Sequence, residues 1–188
     1  VHNQKTWDFL LESKARTNIL YGGAGSGKSW SIAQFLLLEK MYTEKNIRIL
    51  VIRKTGPSLR KSCWKLMLDL LAKYELPYTA INKSELIIYA NGNEMWFTSL
   101  DDVMKLKSIE RINYVWGEEA TEFSKKDFMQ LHLRCRGENP NGHNALIFSF
   151  NPIDEMSFFK PITDNPPDGT LVQHSTYQDN VFLDEDNI

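Results

Sequence analysis

The sequence predicts an α/β fold in which a mainly parallel sheet is covered by helices on both faces. Short apolar runs typical of buried strands alternate along the chain with longer segments of helical spacing. Parallel strands need crossover connections, and helical crossovers cover both faces of a sheet. Two local features narrow the prediction further: a glycine-rich loop after the first strand, and a pair of acids after a later strand.

The glycine-rich loop has the spacing G-x-x-x-x-G-K-S of a phosphate-binding P-loop. The apolar residues 18–21 precede it and residues 30–42 follow it with helical spacing, which is the strand–loop–helix context that the motif needs. The glycines let backbone N–H groups turn inward around phosphates, and the helix N-terminus adds its dipole. A turn that binds no ligand is the alternative. The residues expected to bind nucleotide are Gly22, Gly23, Ala24, Gly25, Ser26, Gly27, Lys28 and Ser29.

Three side chains in or before this loop have expected roles. Lys28 should reach the β and γ phosphates of ATP, and the Ser29 hydroxyl should bind Mg²⁺. An amphipathic helix is predicted over residues 1–16, with Leu11 among the residues on its apolar side. In some P-loop ATPases a segment before the first strand supplies a glutamine that reads adenine, and Gln4 is the candidate here. Packing alone is the alternative role for this helix.

The second predicted strand and helix form the most basic part of the chain. Residues 46–52 are mostly β-branched and apolar, and a helix is expected from Pro57 to about residue 74 because proline suits a first helical turn. This segment is either a solvated helix face or a surface that contacts the phosphates of ATP or DNA. Its cations are Arg53, Lys54, Arg60, Lys61 and Lys65.

A β-hairpin is predicted after the second helix. Residues 85–89 and 94–98 are short strand candidates, and the Asn91-Gly92 pair between them is a strong hairpin-turn signal. The hairpin is therefore interpreted as an insertion into the α/β fold. A polar connection over residues 101–110, with a short helix, follows it.

The pair of acids gives the second piece of chemistry. An apolar strand over residues 112–117 runs into Glu118 and Glu119, which is the Walker B arrangement. Glu118 would hold Mg²⁺ directly or through water, and Glu119 would polarise the attacking water as general base. An ordinary exposed Glu-Glu pair is the alternative. Gly117 is unusual in a strand and would ease the close approach of backbone to the site.

A catalytic glutamate beside the magnesium acid is characteristic of the additional-strand class of P-loop ATPases. In that class a further strand lies between the P-loop strand and the Walker B strand, and a polar residue at its tip senses the γ-phosphate. Residues 145–150 fit this strand, and Ser149 or Asn151 is the candidate sensor. An Asn-Pro turn is the alternative for Asn151. A helix over residues 124–134, capped by Ser124, and a last strand over 171–175 complete the predicted fold.

The overall composition limits the function. The chain has 188 residues, 42% of them hydrophobic and 24% charged, which is ordinary for one soluble globular domain. No run approaches the roughly 20 apolar residues of a membrane span, and the N-terminus lacks the apolar region of a signal peptide. Cys63 and Cys135 are expected to be reduced thiols of a cytosolic protein. The formal net charge is −2, so any nucleic-acid contact must come from local clusters.

Together these motifs resemble the ATPase domain of phage terminase large subunits, the motors that pump viral DNA into a procapsid. The resemblance covers about residues 17–183. Its most specific part is the order of the acidic, Asn-Pro and Thr-Tyr-x-Asp-Asn segments. The matching stretches are GGAGSGKS at 22–29, VIRKT at 51–55, WGEEAT at 116–121, SFNP at 149–152, and STYQDN at 175–180 with Phe182 and Leu183.

The resemblance implies an architecture and a set of partners. Residues 1–176 would form the ATPase domain, and residues 177–188 would begin a linker toward a nuclease domain that this chain lacks. The implied partners are double-stranded DNA, a portal protein and a small terminase subunit. The implied assembly is a homo-oligomeric ring on a procapsid in the host cytoplasm, with a monomer for the isolated domain. Residues 149–152 match the segment that couples hydrolysis to DNA movement.

One departure from the family pattern concerns the P-loop. Many members carry arginine where this chain has Ala24, and that arginine has been considered a charge-stabilising finger. The resemblance then implies a finger from elsewhere in the chain or from a ring neighbour. Arg111, shortly before the Walker B strand, is the first candidate. Such a finger raises the rate by about 10³–10⁵, so an isolated monomer would hydrolyse ATP slowly. Arg53, Arg60, Arg134 and Arg136 stay open as alternatives.

Three other functions fit the P-loop. A helicase or recombinase-like ATPase of the same class would unwind duplex DNA or respond better to single strands. A small-molecule kinase would transfer phosphate to an acceptor, although the sequence shows no arginine-bearing lid. A nucleotide-gated scaffold would bind ATP tightly without turnover.

Overall fold

The computed structural model describes residues 3–151 and 157–180. Within these ranges the chain forms one sheet with helices on both faces. Val1, Pro152 and the tail 181–188, on which parts of the sequence prediction fall, lie outside the described residues. The strands are β1 (Thr17–Gly22), β2 (Arg48–Arg53), β3 (Ala80–Asn82), β4 (Ile87–Ala90), β5 (Asn93–Ser99), β6 (Tyr114–Glu118), β7 (Ala145–Phe150) and β8 (Thr170–Ser175).

The first six helices lie in the predicted helical segments, whereas the seventh was not predicted. The chain has α1 (Gln4–Glu12), α2 (Lys28–Gln34), α3 (Gly56–Leu59), α4 (Lys65–Lys73), α5 (Val103–Ser108), α6 (Lys125–Arg134) and α7 (Phe159–Asp164). A π-helical segment, Phe35–Met41, extends α2, and another, Arg60–Trp64, joins α3 to α4 into one continuous helix. Among the described residues, none of these helices has the length and apolar character needed to cross a membrane.

The strand order confirms the predicted additional-strand topology. The sheet reads β3-β4-β5-β2-β6-β7-β1-β8, so β7 lies between the P-loop strand β1 and the Walker B strand β6. The neighbours in the series β5, β2, β6, β7, β1, β8 pair in parallel. At the other end of the sheet, β4 pairs antiparallel with both β3 and β5. Because the central strands are parallel, their carboxyl ends meet along one edge of the sheet.

The predicted hairpin forms, and it belongs to the main sheet. Asn91 and Gly92 both have positive φ, 55° and 78°, which is the backbone that a two-residue hairpin turn of type I′ requires. The second arm, β5, also pairs in parallel with β2, and the first arm, β4, adds the edge strand β3. The three-residue β3 was not predicted because so short a segment carries no periodic signal.

Each face of the sheet has its own apolar core. Neighbouring residues of one strand point to opposite faces, so Val51 packs on one side while Leu50 and Ile52 pack on the other. The first face is covered by α1, α2 and the continuous helix from α3 to α4. The second face is covered by α5, α6 and α7. The largest fully buried side chains include Trp116, Phe97, Phe148, Phe150 and Phe159.

Two helix starts illustrate how local sequence sets the element boundaries. Ser124 caps α6 as predicted: its side chain accepts from the Asp127 N–H, and the Asp127 carboxylate accepts from the Ser124 N–H at 2.9 Å. The predicted helix over residues 1–16 is shorter in the structure, with Asn3 as its cap and an end at Glu12. Leu11, expected on its apolar side, is 55% exposed.

Gly117 is required by packing, which differs from the predicted role in backbone approach to the site. A Cβ atom at this position would lie 2.7 Å from the rings of both Phe123 and Phe148.

We expect Gly117→Ala to lower the free energy of unfolding by about 1–3 kcal/mol, because both rings would have to move. Urea denaturation measures this change. Gly56→Ala is the matched control, since its Cβ would make an ordinary 3.6 Å contact with Ser99, and an equal loss in both variants would contradict the packing explanation.

Candidate active site

A cavity of about 350 Å³ opens at the carboxyl edge of the sheet, where β1 turns into α2. The P-loop residues form its floor. Gly22, the first residue of the loop, lies so close to β8 that an added Cβ would be 1.6 Å from the Ser175 carbonyl oxygen, so only glycine fits there. The lining residues are Gly23, Ala24, Gly25, Ser26, Gly27, Lys28, Ser29, Trp30, Asn151 and Asn180.

The Lys28 ammonium group is bonded to the P-loop itself. It donates to the carbonyl oxygens of Gly22 at 2.7 Å and Gly23 at 3.1 Å, and to the Ser26 hydroxyl at 2.9 Å. Burial lowers the pKa of Lys28, and the nearby Glu119 and Glu118 partly oppose that shift. Since an ammonium has three donors, a phosphate can contact Lys28 only by replacing one of these acceptors.

Glu118 lies between a hydroxyl and a guanidinium group. The Ser29 hydroxyl donates to its Oε1 at 3.3 Å, and Arg53 Nε lies 2.8 Å from its Oε2. Arg53 and Glu118 form an ion pair, but the angles of this contact lie outside the range of a hydrogen bond. Burial raises the pKa of Glu118, Arg53 opposes this shift, and Glu119 adds to it. The structure thus brings Arg53, one of the arginines left open by the sequence, to the end of β6.

Glu119 turns away from Glu118 because the strand ends between them. Its backbone is left-handed, with φ 53° and ψ 48°, a conformation that costs a non-glycine residue about 1–3 kcal/mol. Asn151 Nδ2 donates to Glu119 Oε1 at 3.3 Å. The two acids therefore have separate partners, one on the P-loop helix and the other at the tip of β7.

Asn151 and Ser149 occupy different environments. Asn151 lines the cavity and touches Glu119. Ser149 is 1% exposed, and its hydroxyl accepts a hydrogen bond from the Trp116 indole at 2.9 Å, inside the sheet. Of the two candidate γ-phosphate sensors, only Asn151 lies at the cavity.

Gln4 does not line the cavity. Its side chain donates to the Asp8 carboxylate on the exposed face of α1. The preceding residue, Asn3, reaches the P-loop instead: its Nδ2 donates to the Ser26 carbonyl at 2.7 Å, and its N–H donates to the Ser31 hydroxyl at 2.9 Å. Asn3 could not be recognised from the sequence, because its contact depends on how α1 docks.

Arg111 lies at the amino ends of the parallel strands, whereas the cavity lies at their carboxyl ends. It precedes β6, whereas Glu118 ends β6, and a strand rise of about 3.3 Å per residue separates them by roughly 20 Å. Arg111 is exposed there and shares a cleft of about 590 Å³ with Arg134 and Arg136. None of these three arginines can reach the cavity of its own chain. Arg60 is exposed on the helix that follows β2.

Asn180 also lines the cavity. It ends the STYQDN segment that resembles the family, and the sequence assigned no role to this residue. Its Nδ2 donates to the Gly25 carbonyl at 2.6 Å. The contact joins the end of the described chain to the P-loop across more than 150 residues, so only the fold reveals it.

Comparison with known proteins identifies relatives over most of the chain. The family described as phage terminase large subunit matches residues 14–188. The terminase large subunit of Bacillus phage SPP1 is 29% identical over 195 residues, 97% of this chain and 46% of that protein. The PBSX phage terminase large subunit of Bacillus subtilis (strain 168) is 27% identical over 201 residues, 95% of this chain and 45% of that protein. The chain thus spans about half the length of these relatives.

A solved structure shares the fold. The large terminase of a thermophilic bacteriophage superposes with a TM-score of 0.80 at 18% identity, covering 98% of this chain and 47% of that one. The same thermophilic-phage terminase has also been solved in complexes with ADP and with ATP-γ-S.

Proposed function

The chain belongs to the phage terminase large subunit family, and we propose that it is the ATP-hydrolysing motor domain that drives double-stranded DNA into a viral procapsid. One observation carries the proposal of hydrolysis. Glu118 and Glu119, adjacent in sequence, separate at the cavity so that one meets the Ser29 hydroxyl and the other meets Asn151. This division provides one acid for a metal and a second acid for water. The nucleotide complexes of the thermophilic-phage terminase support ATP as the substrate.

The residues at the cavity divide the work of hydrolysis. The P-loop N–H groups surround the phosphates, and Lys28 exchanges a loop acceptor for a phosphate oxygen. Glu119 takes the proton from the attacking water as general base. Asn151 donates to the Glu119 carboxylate and fixes its direction toward the γ-phosphate end of the cavity.

The Ser29 hydroxyl and the Glu118 carboxylate suit Mg²⁺. Both are hard oxygen ligands, and they lie 3.3 Å apart. Within the described parts of the chain, no three His, Cys, Asp or Glu side chains cluster to hold a metal by themselves, which fits an ion that takes its other ligands from water and phosphate. When bound, Mg²⁺ would neutralise charge on the phosphates. Because Arg53 pairs with Glu118, metal binding at that carboxylate competes with the Arg53 guanidinium.

A ring of identical subunits would complete the site. Arg111 lies on the amino edge of the sheet, and the cavity lies on the carboxyl edge, so a head-to-tail contact can bring Arg111 of one subunit to the ATP of the next. Arg111 of the neighbouring subunit would then supply the arginine finger that Ala24 cannot provide. The ring would act in the host cytoplasm, docked on a portal protein, with DNA delivered by a small terminase subunit.

DNA movement and domain organisation complete the proposal. A packaging motor must move any sequence, so it grips the phosphate backbone, and its DNA affinity should fall steeply with salt.

Residues 1–176 form the ATPase domain, and the linker over residues 177–188 starts in contact with the ATP site through Asn180. A nuclease domain would follow that linker. Gln4, which donates to Asp8 outside the cavity, is not part of this proposal, and Ser149 supports the site by holding the Trp116 indole through a hydrogen bond.

Phosphate release from ATP tests the proposed activity. We expect Mg²⁺-dependent turnover that duplex DNA stimulates more than single strands do. Lys28→Ala should weaken ATP binding about 10- to 100-fold and remove detectable turnover, because a charge-assisted contact with the phosphates is lost. Lys83→Ala, which changes an exposed lysine in the turn between β3 and β4, is the matched control and should behave like the wild type. Phosphate transfer to an acceptor, or tight ATP binding without turnover in any assembly, would contradict the proposal.

A further inference from the structure

The carbonyl groups of the P-loop need hydrogen-bond donors from other parts of the protein. When the N–H groups of such a loop turn inward toward phosphates, its carbonyl oxygens turn outward, and a buried carbonyl without a donor destabilises the loop. Both a loop side chain and distant segments supply these donors here. The pairs are the Gly22 and Gly23 carbonyls with Lys28, the Gly25 carbonyl with Asn180, and the Ser26 carbonyl with Asn3.

Lys28 cannot keep all of its contacts with the loop when a nucleotide binds. Its ammonium group has three donors, which go to two loop carbonyls and to the Ser26 hydroxyl, so a phosphate must replace one of them. Asn3 does not line the cavity, so a nucleotide does not compete for its amide. The contact from Asn3 is therefore a support that phosphate binding leaves in place.

The Asn3 side chain is held in one orientation by contacts on both of its ends. It is 2% exposed and is the N-cap of α1, where its Oδ1 accepts from the Thr6 N–H at 3.2 Å. Its Nδ2 donates to the Ser26 carbonyl at 2.7 Å. Because an N–H only donates and a carbonyl oxygen only accepts, the amide satisfies both partners in this orientation alone. The Asn3 N–H also donates to the Ser31 hydroxyl of α2 at 2.9 Å.

The helix that carries Asn3 is anchored by further contacts of its own. Gln173 of β8 donates to the Lys5 carbonyl at 2.8 Å, and the Lys5 ammonium pairs with Asp179 at 3.2 Å. Leu10, further along α1, is buried in the apolar core of that face of the sheet. These contacts keep α1 in place when the Asn3 side chain is changed, so the effect of its contact with Ser26 can be measured separately.

We propose that Asn3 is a positioning residue of the ATP site, which holds the Ser26 carbonyl so that the loop N–H groups stay directed at the α- and β-phosphates. This assignment rests on the proposed ATPase function. Asn3 acts through the loop and does not touch the nucleotide. Since ADP and ATP share the phosphates that the loop N–H groups surround, Asn3 contributes equally to the binding of both. A residue that acts on the γ-phosphate would affect ATP alone.

Equilibrium binding of ADP and ATP to Asn3→Ser tests the proposal. Serine is as good an N-cap as asparagine, but its hydroxyl is one bond short of the Ser26 carbonyl. The variant should keep the wild-type midpoint of urea unfolding and bind ADP and ATP each about 3- to 10-fold more weakly, the value of one hydrogen bond. Asn3→Asp, which keeps a cap acceptor but has no donor, should lose at least as much affinity.

Gln4→Ala is the matched control, because it removes the neighbouring amide of α1, which donates to Asp8, and it should bind both nucleotides like the wild type. Wild-type affinity in Asn3→Ser, or a loss confined to ATP, would overturn the assignment. An equal loss in Gln4→Ala, or a lower urea midpoint in Asn3→Ser, would attribute the effect to α1 as a whole and overturn it too. A wild-type chain that binds neither nucleotide would contradict the proposed ATPase function itself.

Discussion

Glu119→Gln is expected to lower ATP turnover about 10²- to 10⁴-fold while ATP binding stays close to the wild-type value. Glutamine keeps the size of the side chain and can still accept from Asn151, but it cannot take a proton from water. The left-handed backbone at Glu119 and the hydrogen bond from Asn151 hold the carboxylate apart from Glu118 and its partners. The loss should therefore fall on the chemical step. Single-turnover phosphate release, measured beside ATP affinity, separates the two effects.

The neighbouring acid Glu122 provides the control for this variant. It is exposed on the 3₁₀ turn that follows Glu119, and its charge contributes to the raised pKa of Glu118. Glu122→Gln should leave turnover near the wild-type level. Normal turnover in Glu119→Gln, or an equal loss in Glu122→Gln, would show that Glu119 is not the general base.

Arg111→Ala is expected to lower turnover about 10³- to 10⁵-fold in assembled rings and to leave the isolated chain unchanged. The reason is geometric, since roughly 20 Å of strand separates Arg111 from the cavity of its own chain. Steady-state ATPase rates above and below the assembly concentration measure the difference. Arg136→Ala removes an exposed arginine of the same cleft and should have a small effect.

Mixed rings test whether Arg111 acts between subunits. A ring that combines Arg111→Ala with Glu119→Gln subunits contains interfaces where an intact Glu119 faces an intact Arg111 of the neighbour. Such interfaces should restore part of the activity that each variant lacks alone. No restoration would place the finger within one chain, and a larger loss in Arg136→Ala than in Arg111→Ala would move the role to Arg136.

Local sequence was sufficient for the elements around the site. The P-loop, the two acids at the end of β6 and the Asn-Gly turn are each encoded within a few neighbouring residues, and the structure has the corresponding strands, helix and hairpin. The position of β7 between β1 and β6 was also predicted, because the paired acids indicate a class whose strand order is known. The capping of α6 by Ser124 depends only on Asp127, three residues later.

Contacts between distant segments could not be predicted. Arg53 meets Glu118 because β2 and β6 are neighbours in the sheet, and nothing in either segment specifies that pairing. Asn3 and Asn180 approach the P-loop from opposite ends of the described chain. The role of Gly117 depends on aromatic rings that come from a turn and a neighbouring strand. In each case the sequence supplied the residue type, and the fold supplied its partner.

Packaging of duplex DNA is the most direct test of the central claim that ATP hydrolysis at this site moves DNA. The measurement is the amount of DNA protected from nuclease when the full-length large subunit, procapsids with portal, and the small subunit are mixed with ATP. We predict that protected DNA accumulates with wild-type protein and ATP, and does not accumulate with Glu119→Gln or with a non-hydrolysable ATP analogue. Protection that is equal with Glu119→Gln, or ATP-dependent strand separation without protection, would contradict the account.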